Sequence, residues 1–228
     1  MNYDKRRRTS CYRLVPPFAL LILALAAPQA AWGQSAPRTS FTLQNKASSF
    51  VAHLLKGGVA KGFAHDHVIR ATKVTGTVDL EAGKLETLRL DLRVDTRSFD
   101  VDPPALRRAY GMKSMLDAGD RAKVKRNLEA KDQLWVAKYP QIRFVSTSLK
   151  ALGGKRYVVF GKLTIRGVTR PVAVKVSAWL SADGKRLEGK GQLRFRQSRF
   201  GYKPYSAGLG LVKVKDPVTL NLYLVATR

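Results

Sequence analysis

The alternation of apolar residues with polar or charged ones along most of the chain is the feature that most constrains its fold. Apolar residues recur at every second position in 88–94, 172–180, 187–195 and 218–226. Successive side chains of a β-strand point to opposite faces, so this spacing places one row of apolar side chains against a core. Because several segments repeat it, the pattern predicts antiparallel strands that each bury one face.

Short turn sequences separate these predicted strands. Ala82-Gly83, Gly153-Gly154, Arg166-Gly167 and Asp183-Gly184 each lie between two successive predicted strands, where hairpin loops are expected. The spacing gives about eight strands, and closing them into an up-and-down barrel removes the edges that long strands would otherwise expose. The pattern therefore predicts an all-β fold, an antiparallel barrel of about eight strands, with a two-sheet sandwich as the alternative.

One segment, residues 103–138, lacks the alternation and predicts a helical insert. Pro104 suits the first position of a short helix that runs to Met115, and Asp120 suits the N-cap of a second helix that runs to Trp135. The second helix would be amphipathic and would pack over one end of the barrel or along its wall. Long inserts are often lids over a binding site, and a plug that fills the barrel mouth is the alternative.

The first 33 residues have the pattern of a secretory signal peptide. Basic residues near the start precede an apolar run from Val15 to Ala27, and Ala31-Trp32-Gly33 places small residues where signal peptidase requires them. The run is shorter than the roughly 20 residues that a membrane-spanning helix needs. We expect cleavage before Gln34, export to the periplasm or out of the cell, and one mature domain, residues 34–228.

Charge and cysteine content narrow the classes of function. The chain carries a net charge of +26, and removing the predicted signal peptide leaves about +22. Nucleic acid, an anionic membrane surface and an acidic ligand could each explain this charge, but export argues against nucleic acid. A merely solvated basic face is the simpler interpretation. Cys11 is the single cysteine and precedes the cleavage site, so the mature chain would have no thiol for disulfides, metal ligation or nucleophilic attack.

Several segments, in the expected order, resemble those of the YceI-like family of exported bacterial proteins. The similar segments are Ser48–Val51, Thr75–Val78, Lys138–Phe144, Gly161–Val172, Arg199–Tyr202 and Asp216–Val218. The resemblance extends from Phe41 to Arg228 and implies a lipocalin-like barrel. It also implies that the lumen holds a long apolar tail, typically that of a polyisoprenoid or an isoprenoid quinone, and it implies no catalytic activity.

The inward positions of such a barrel predict an apolar lumen. An apolar tube binds a prenyl chain by removing the chain's surface from water, at about 25 cal/mol per Å². The candidate lumen residues are Val74, Val78, Leu90, Leu92, Phe144, Val159, Leu163, Val174, Val176, Leu193, Phe195 and Leu220.

The three histidines of the chain lie within fifteen positions and predict a possible metal site. His65 and His67 face the same side of a strand, and a turn at residues 57–61 would place His53 opposite His65. Three converging imidazoles could hold zinc or copper with an open coordination position. Contact with a ligand head group and a purely structural role are the alternatives.

A loop near the end of the chain mixes aromatic and basic residues. Arg199, Tyr202, Lys203 and Tyr205 could contact a quinone ring or a pyrophosphate at the barrel mouth. An aromatic-anchored turn is the simpler interpretation of this loop.

The function predicted from these observations is that of an exported binding protein. It would hold a polyisoprenoid lipid or isoprenoid quinone for transport, storage or a stress response. No Gly-x-Ser-x-Gly, nucleotide-binding or His-Glu-x-x-His motif occurs, so no enzyme is predicted. The alternatives are a histidine-cluster metal-binding protein and a membrane-surface interaction protein without a ligand. The sequence leaves the oligomeric state open, a homodimer included.

Overall fold

The structure, a computed structural model, describes residues 1, 37–59, 64–81 and 83–228. The predicted signal peptide thus lies, except for Met1, outside the described residues. None of the described helices is long and apolar enough to cross a membrane. The strands are β1 (Arg38–Leu43), β2 (Ser49–Gly57), β3 (His67–Ala71), β4 (Val74–Glu81), β5 (Lys84–Asp95), β6 (Phe99–Val101), β7 (Gln141–Gly153), β8 (Arg156–Ile165), β9 (Val168–Leu180), β10 (Arg186–Arg196), β11 (Ser206–Ala207) and β12 (Val212–Thr227), and the helices are α1 (Pro104–Ala109) and α2 (Ala118–Glu129).

The strands form a closed antiparallel ring. Hydrogen bonds link β1, β4, β5, β7, β8, β9, β10 and β12 in that order, and β12 then pairs with β1 to close a ring of eight strands. The hairpins at residues 153–156, 165–168 and 180–186 lie where the turn sequences predict them. The predicted fold, an all-β lipocalin-like barrel, is confirmed.

Three of the wall strands are each divided into two. Residues 44–48, 72–73 and 96–98 interrupt the pairs β1–β2, β3–β4 and β5–β6. The pairing of strands continues beyond these interruptions, because β12 pairs with β2, β2 with β3, and β3 with β6. The alternation of apolar and polar residues over 68–80 in the sequence is that of a single strand, but the structure interrupts it at Thr72 and Lys73. We call the end formed by β2, β3 and β6 the mouth of the barrel.

The helical insert covers the mouth, one of the two positions that its amphipathic pattern leaves open. Val124 and Leu128 of α2 pack on the core residues of β2, β3, β6 and β12. The N-cap of α2 is Asp117, whose carboxylate accepts the N–H of Asp120, so the prediction that Asp120 is the N-cap is wrong. Both helices are also shorter than predicted, ending at Ala109 and Glu129.

The opposite end of the barrel is filled by its own side chains. Phe41, Leu80, Leu187 and Leu224 are all less than 9% exposed and belong to one packed cluster there. We call this end the closed end. The cavities inside the ring therefore lie between this cluster and the insert.

Candidate functional site

An apolar cavity of about 110 Å³ lies inside the ring, between the closed end and the mouth. Every side chain that lines it is aliphatic or a phenylalanine. The lining residues are Phe50, Val74, Leu90, Leu92, Val94, Ile142, Phe144, Val159, Leu163, Val174, Val176, Leu193, Leu220, Leu222 and Leu224. Most predicted lumen residues line this cavity. Two do not, because Val78 is buried in the closed-end core and Phe195 lines the next cavity toward the mouth.

Further cavities continue from the lumen to the mouth. The next one, also about 110 Å³, shares Phe50, Leu163 and Leu220 with the lumen cavity and extends to Ile69. Ile69 also borders a cavity of about 70 Å³ beneath α2. That third cavity shares His67 with an outer cavity of about 250 Å³ between α2 and the start of β12. The fold therefore places a row of cavities from the apolar lumen to the barrel mouth.

The lining changes from apolar to polar as the row reaches the mouth. The cavity beneath α2 is bordered by the polar side chains of His67, Asn127, Gln133, Gln197 and Tyr205. Two lysines, Lys123 and Lys213, join the lining only in the outer cavity. A molecule with a long apolar tail and an uncharged polar head would match this order of side chains.

A buried ion pair holds His67 at the mouth. Nδ1 of His67 lies 2.6 Å from Oδ2 of Asp102, and Oδ1 of Asp102 accepts hydrogen bonds from the Val68 N–H at 2.9 Å and from Arg107 Nη1 at 2.8 Å. The side chains of Asp102 and Arg107 are 0% and 1% exposed, whereas that of His67 is 16% exposed. Because an ionised carboxylate only accepts hydrogen bonds, the proton of the His67–Asp102 bond lies on Nδ1, which turns Nε2 away from Asp102.

Arg107 also fixes the segment that precedes β3. Its guanidinium donates to the carbonyl oxygen of Asp66 at 2.8 Å, to the carbonyl of Ser114 at 2.9 Å and to the hydroxyl of Ser114 at 3.1 Å. These bonds tie the segment after α1 to the residue before His67. One buried cation thus organises both sides of the mouth.

The charge state of Asp102 follows from its partners. Burial alone would raise the pKa of Asp102, but the hydrogen bonds from His67, Val68 and Arg107 and the charge of His67 outweigh burial and hold the pKa below its ordinary value of 3.8. The ionised form is therefore stabilised by folding. This component of stability is complete above pH 3.8 and is lost as the pH falls through the lower pKa of the folded state.

We therefore expect the chain to lose stability as the pH falls below 3.8. Urea unfolding of the wild type and of Asp102→Asn, measured from neutral to strongly acidic pH, checks this. The difference in unfolding free energy between the two should be constant near neutral pH and should shrink in acid, because protonation of Asp102 makes the proteins alike. A difference that is independent of pH would contradict the assignment.

The three histidines do not converge, and this corrects the predicted metal site. The register pairs His53 with Val68 and Leu54 with His67, so His53 and His67 lie on opposite faces of the sheet. His53 packs edge-on against Tyr110 with 5.4 Å between ring centroids, and Nδ1 of His65 lies 3.3 Å from the Ser114 hydroxyl. No group of three or more His, Cys, Asp or Glu residues that could hold a metal occurs among the described residues.

The predicted head-group residues separate into three environments. Tyr205 borders the mouth cavities beside His67. Tyr202 instead belongs to the core beside Phe200, and burial raises the pKa of its phenol, so it does not face the mouth. Arg199 and Lys203 are exposed on the surface, and their backbone carbonyls accept hydrogen bonds from Arg170 and Gln133. The sequence thus identified Tyr205 as a mouth residue but missed Asp102 and Arg107.

Comparisons with known proteins agree with this fold. The family model of the YceI-like domain matches residues 41–226. A UPF0312 protein of Pseudomonas savastanoi pv. phaseolicola is 38% identical over 110 residues, which are 48% of this chain and 47% of that protein. A UPF0312 protein of Photorhabdus laumondii is 36% identical over 91 residues, 40% of each chain. The matched stretch therefore spans about half the length of the curated relatives or less.

Two solved structures share the architecture. BcnA of Burkholderia cenocepacia is similar with a TM-score of 0.60 and 23% identity, over 81% of this chain and 99% of that one. A YceI protein of Campylobacter jejuni gives a TM-score of 0.53 and 16% identity, over 70% of this chain and 84% of that one. At these identities the likeness establishes the fold alone.

Proposed function

The chain belongs to the family of YceI-like domain proteins, and from this we propose that it is an exported binding protein for a lipid with a long isoprenoid tail. The tail, that of a polyisoprenoid or an isoprenoid quinone, would occupy the lumen. The polar head would lie at the mouth beside His67. The protein would act in the periplasm or outside the cell, in transport, storage or a stress response.

The row of cavities from the lumen to the mouth is the observation that carries this proposal. Its inner part is lined only by hydrocarbon side chains, which favours an isoprenoid tail over any polar molecule. Its outer part offers an imidazole, three side-chain amides and a phenol, which can orient a head group by hydrogen bonds. Because no lysine or arginine among the described residues lines the cavity beneath α2, the lining favours a hydroxyl or quinone carbonyl over a diphosphate.

Extraction of the native protein tests the proposal directly. We expect protein purified from its own host to release a prenyl compound into organic solvent, with roughly one molecule per chain by mass spectrometry. Protein that yields a clean extract and also fails to take up added prenyl alcohol or quinone would overturn the proposal.

His67 is expected to contribute one hydrogen bond to the head group. In His67→Asn the amide can replace Nδ1 as the donor to Asp102, but nothing replaces Nε2. Loss of one hydrogen bond, about 0.5–1.5 kcal/mol, should weaken binding about two- to twelvefold. Calorimetric titration of the lipid-free protein with geranylgeraniol checks this.

The matched control for that variant is His53→Asn. His53 pairs with Val68, the residue after His67, and therefore lies on the outer face of the same two strands. Its replacement should leave the affinity unchanged. Equal affinities for the two variants would show that His67 does not contact the head group.

A further inference from the structure

Two neighbouring segments at the mouth expose apolar side chains to solvent. The turn from Gly208 to Leu211 joins β11 to β12, and the end of β2 runs beside it. Leu209 is 108% exposed, Val59 is 86% exposed and Leu211 is 51% exposed. We call these three side chains the apolar tip.

Leu209 is unfavourable for folding in two respects. Its side chain buries nothing, and its φ of 51° lies in the left-handed region, which glycine or asparagine adopts at lower cost. It stands between Gly208 and Gly210, which also have positive φ. Because a third glycine would form the same turn with less strain, stability does not explain a leucine at this position.

Close backbone contact holds the two parts of the apolar tip together. Gly58 lies against Leu211, and a Cβ at Gly58 would overlap the Leu211 carbonyl oxygen. Gly57 pairs with Lys213 in the adjoining register. The absence of a side chain at Gly58 therefore brings Val59 next to the turn that carries Leu209 and Leu211.

Lysines follow the apolar tip along β12. Lys213 and Lys215 are exposed at alternate positions of β12, so they lie on one face of the strand about 6.6 Å apart, and Leu211 directly precedes the strand. The ion pairs that lysines form among the described residues involve Lys73 and Lys125, not Lys213 or Lys215. The apolar tip stands at the end of the projection, and the ammonium groups of Lys213 and Lys215 follow it along β12. A bilayer has the same order of groups, because its phosphates lie outside its acyl chains.

We propose that the apolar tip inserts into the surface of an anionic membrane while Lys213 and Lys215 contact the lipid phosphates. A protein partner fits less well, because a stable protein interface buries about 800 Å² on each side and this narrow projection offers three apolar side chains. Ala207, Val212 and Lys213, at the base of the projection, also line the outer cavity. Insertion would therefore bring the barrel mouth to the membrane surface.

Sedimentation with vesicles tests this inference. The probe is a mixture of phosphatidylcholine and phosphatidylglycerol, with pure phosphatidylcholine as the uncharged comparison. We expect the mature chain to bind the anionic vesicles, more weakly as salt is added. The double variant Leu209→Gly and Leu211→Ser should bind at least tenfold more weakly, and Lys213→Gln with Lys215→Gln should lose most of the salt dependence.

Two controls separate docking from folding and from lipid binding. Leu209→Gly relieves strain, so the melting temperature of the double variant should not fall. Leu152→Ser removes a leucine of similar exposure, 45%, at the closed end and should leave vesicle binding unchanged. The amount of lipid extracted from the double variant should equal that extracted from the wild type. If the wild type binds vesicles but releases no lipid on extraction, the proposed function is refuted and the membrane inference stands.

Unchanged vesicle binding in the double variant would overturn the inference. So would equal binding to uncharged vesicles, or no binding by the wild type. A photo-crosslinker at position 209 that attaches to a protein of the envelope rather than to lipid would assign the apolar tip to a protein partner instead.

Discussion

Replacing Asp102 with asparagine is expected to lower the free energy of unfolding by about 3–5 kcal/mol. The substitution keeps the shape of the side chain, and asparagine tolerates the φ of 50° at this position. It removes the charge that compensates Arg107, whose guanidinium is 1% exposed. A buried cation that has lost its counterion accounts for most of the expected destabilisation. Urea unfolding at neutral pH provides the measurement.

Asp100→Asn is the matched control for this substitution. Asp100 forms two ion pairs, with Arg70 at 2.7 Å and with Arg121 at 3.2 Å, but its side chain is 26% exposed. Exposed ion pairs of this kind contribute about 0–1 kcal/mol. Should Asp102→Asn cost no more than Asp100→Asn, the buried pair would not be the element that holds the mouth together.

Filling the lumen should abolish lipid binding while the barrel stays folded. Val174 is 5% exposed and lines the lumen cavity. In Val174→Phe the larger ring would occupy space that the tail needs, so we expect at least a tenfold loss of extractable prenyl lipid. Because the added atoms enter an existing cavity, the cost in unfolding free energy should stay within the roughly 1–3 kcal/mol typical of overpacking.

A variant that is destabilised outside the lumen shows whether lost stability alone reduces lipid binding. Val78 is fully buried in the closed-end core and borders none of the cavities between lumen and mouth. Val78→Ala should therefore lower stability without changing the lipid content. Lipid retained in Val174→Phe, or lost equally in both variants, would contradict the placement of the tail in the lumen.

The barrel could be predicted from the sequence because a strand that buries one face has apolar residues at every second position. Residues 88–94 of β5, 172–180 of β9 and 187–195 of β10 alternate with the period of a strand, and glycine-containing turns mark several strand ends. The strand breaks at Thr72 and near Arg97 could not be predicted in this way. They depend on hydrogen bonds between distant segments, such as the one from the Thr72 hydroxyl to the Ser98 carbonyl.

The positions of the three histidines relative to one another could not be predicted, because they depend on which residues of β2 and β3 pair. A shift of one residue moves a side chain to the other face of a sheet. A turn at residues 57–61 would place His53 opposite His65, whereas the observed pairing of Leu54 with His67 implies a longer connection. The number of residues between His53 and His65 does not distinguish these two registers.

The buried ion pair at the mouth could not be predicted from the sequence for a different reason. Arg107 lies in a predicted helix beside Arg108 and has the pattern of a solvated charge. Its burial results from the chain path, which brings Asp66, Asp102 and Ser114 around one guanidinium. The Asp-Pro-Pro sequence that begins the insert was the one available signal, since it marks a sharp turn with a carboxylate at its start.

The position of β12 in the chain has a consequence for folding kinetics. This strand pairs with β10, β11, β2 and β1, and it follows all the other described strands in sequence. Its contact between Thr42 and Thr227 joins nearly the two ends of the domain. A ring of this connectivity has high contact order, which slows folding. Ring closure must therefore wait until β12 has left the ribosome, so the ring stays open while the strands that precede β12 are synthesised.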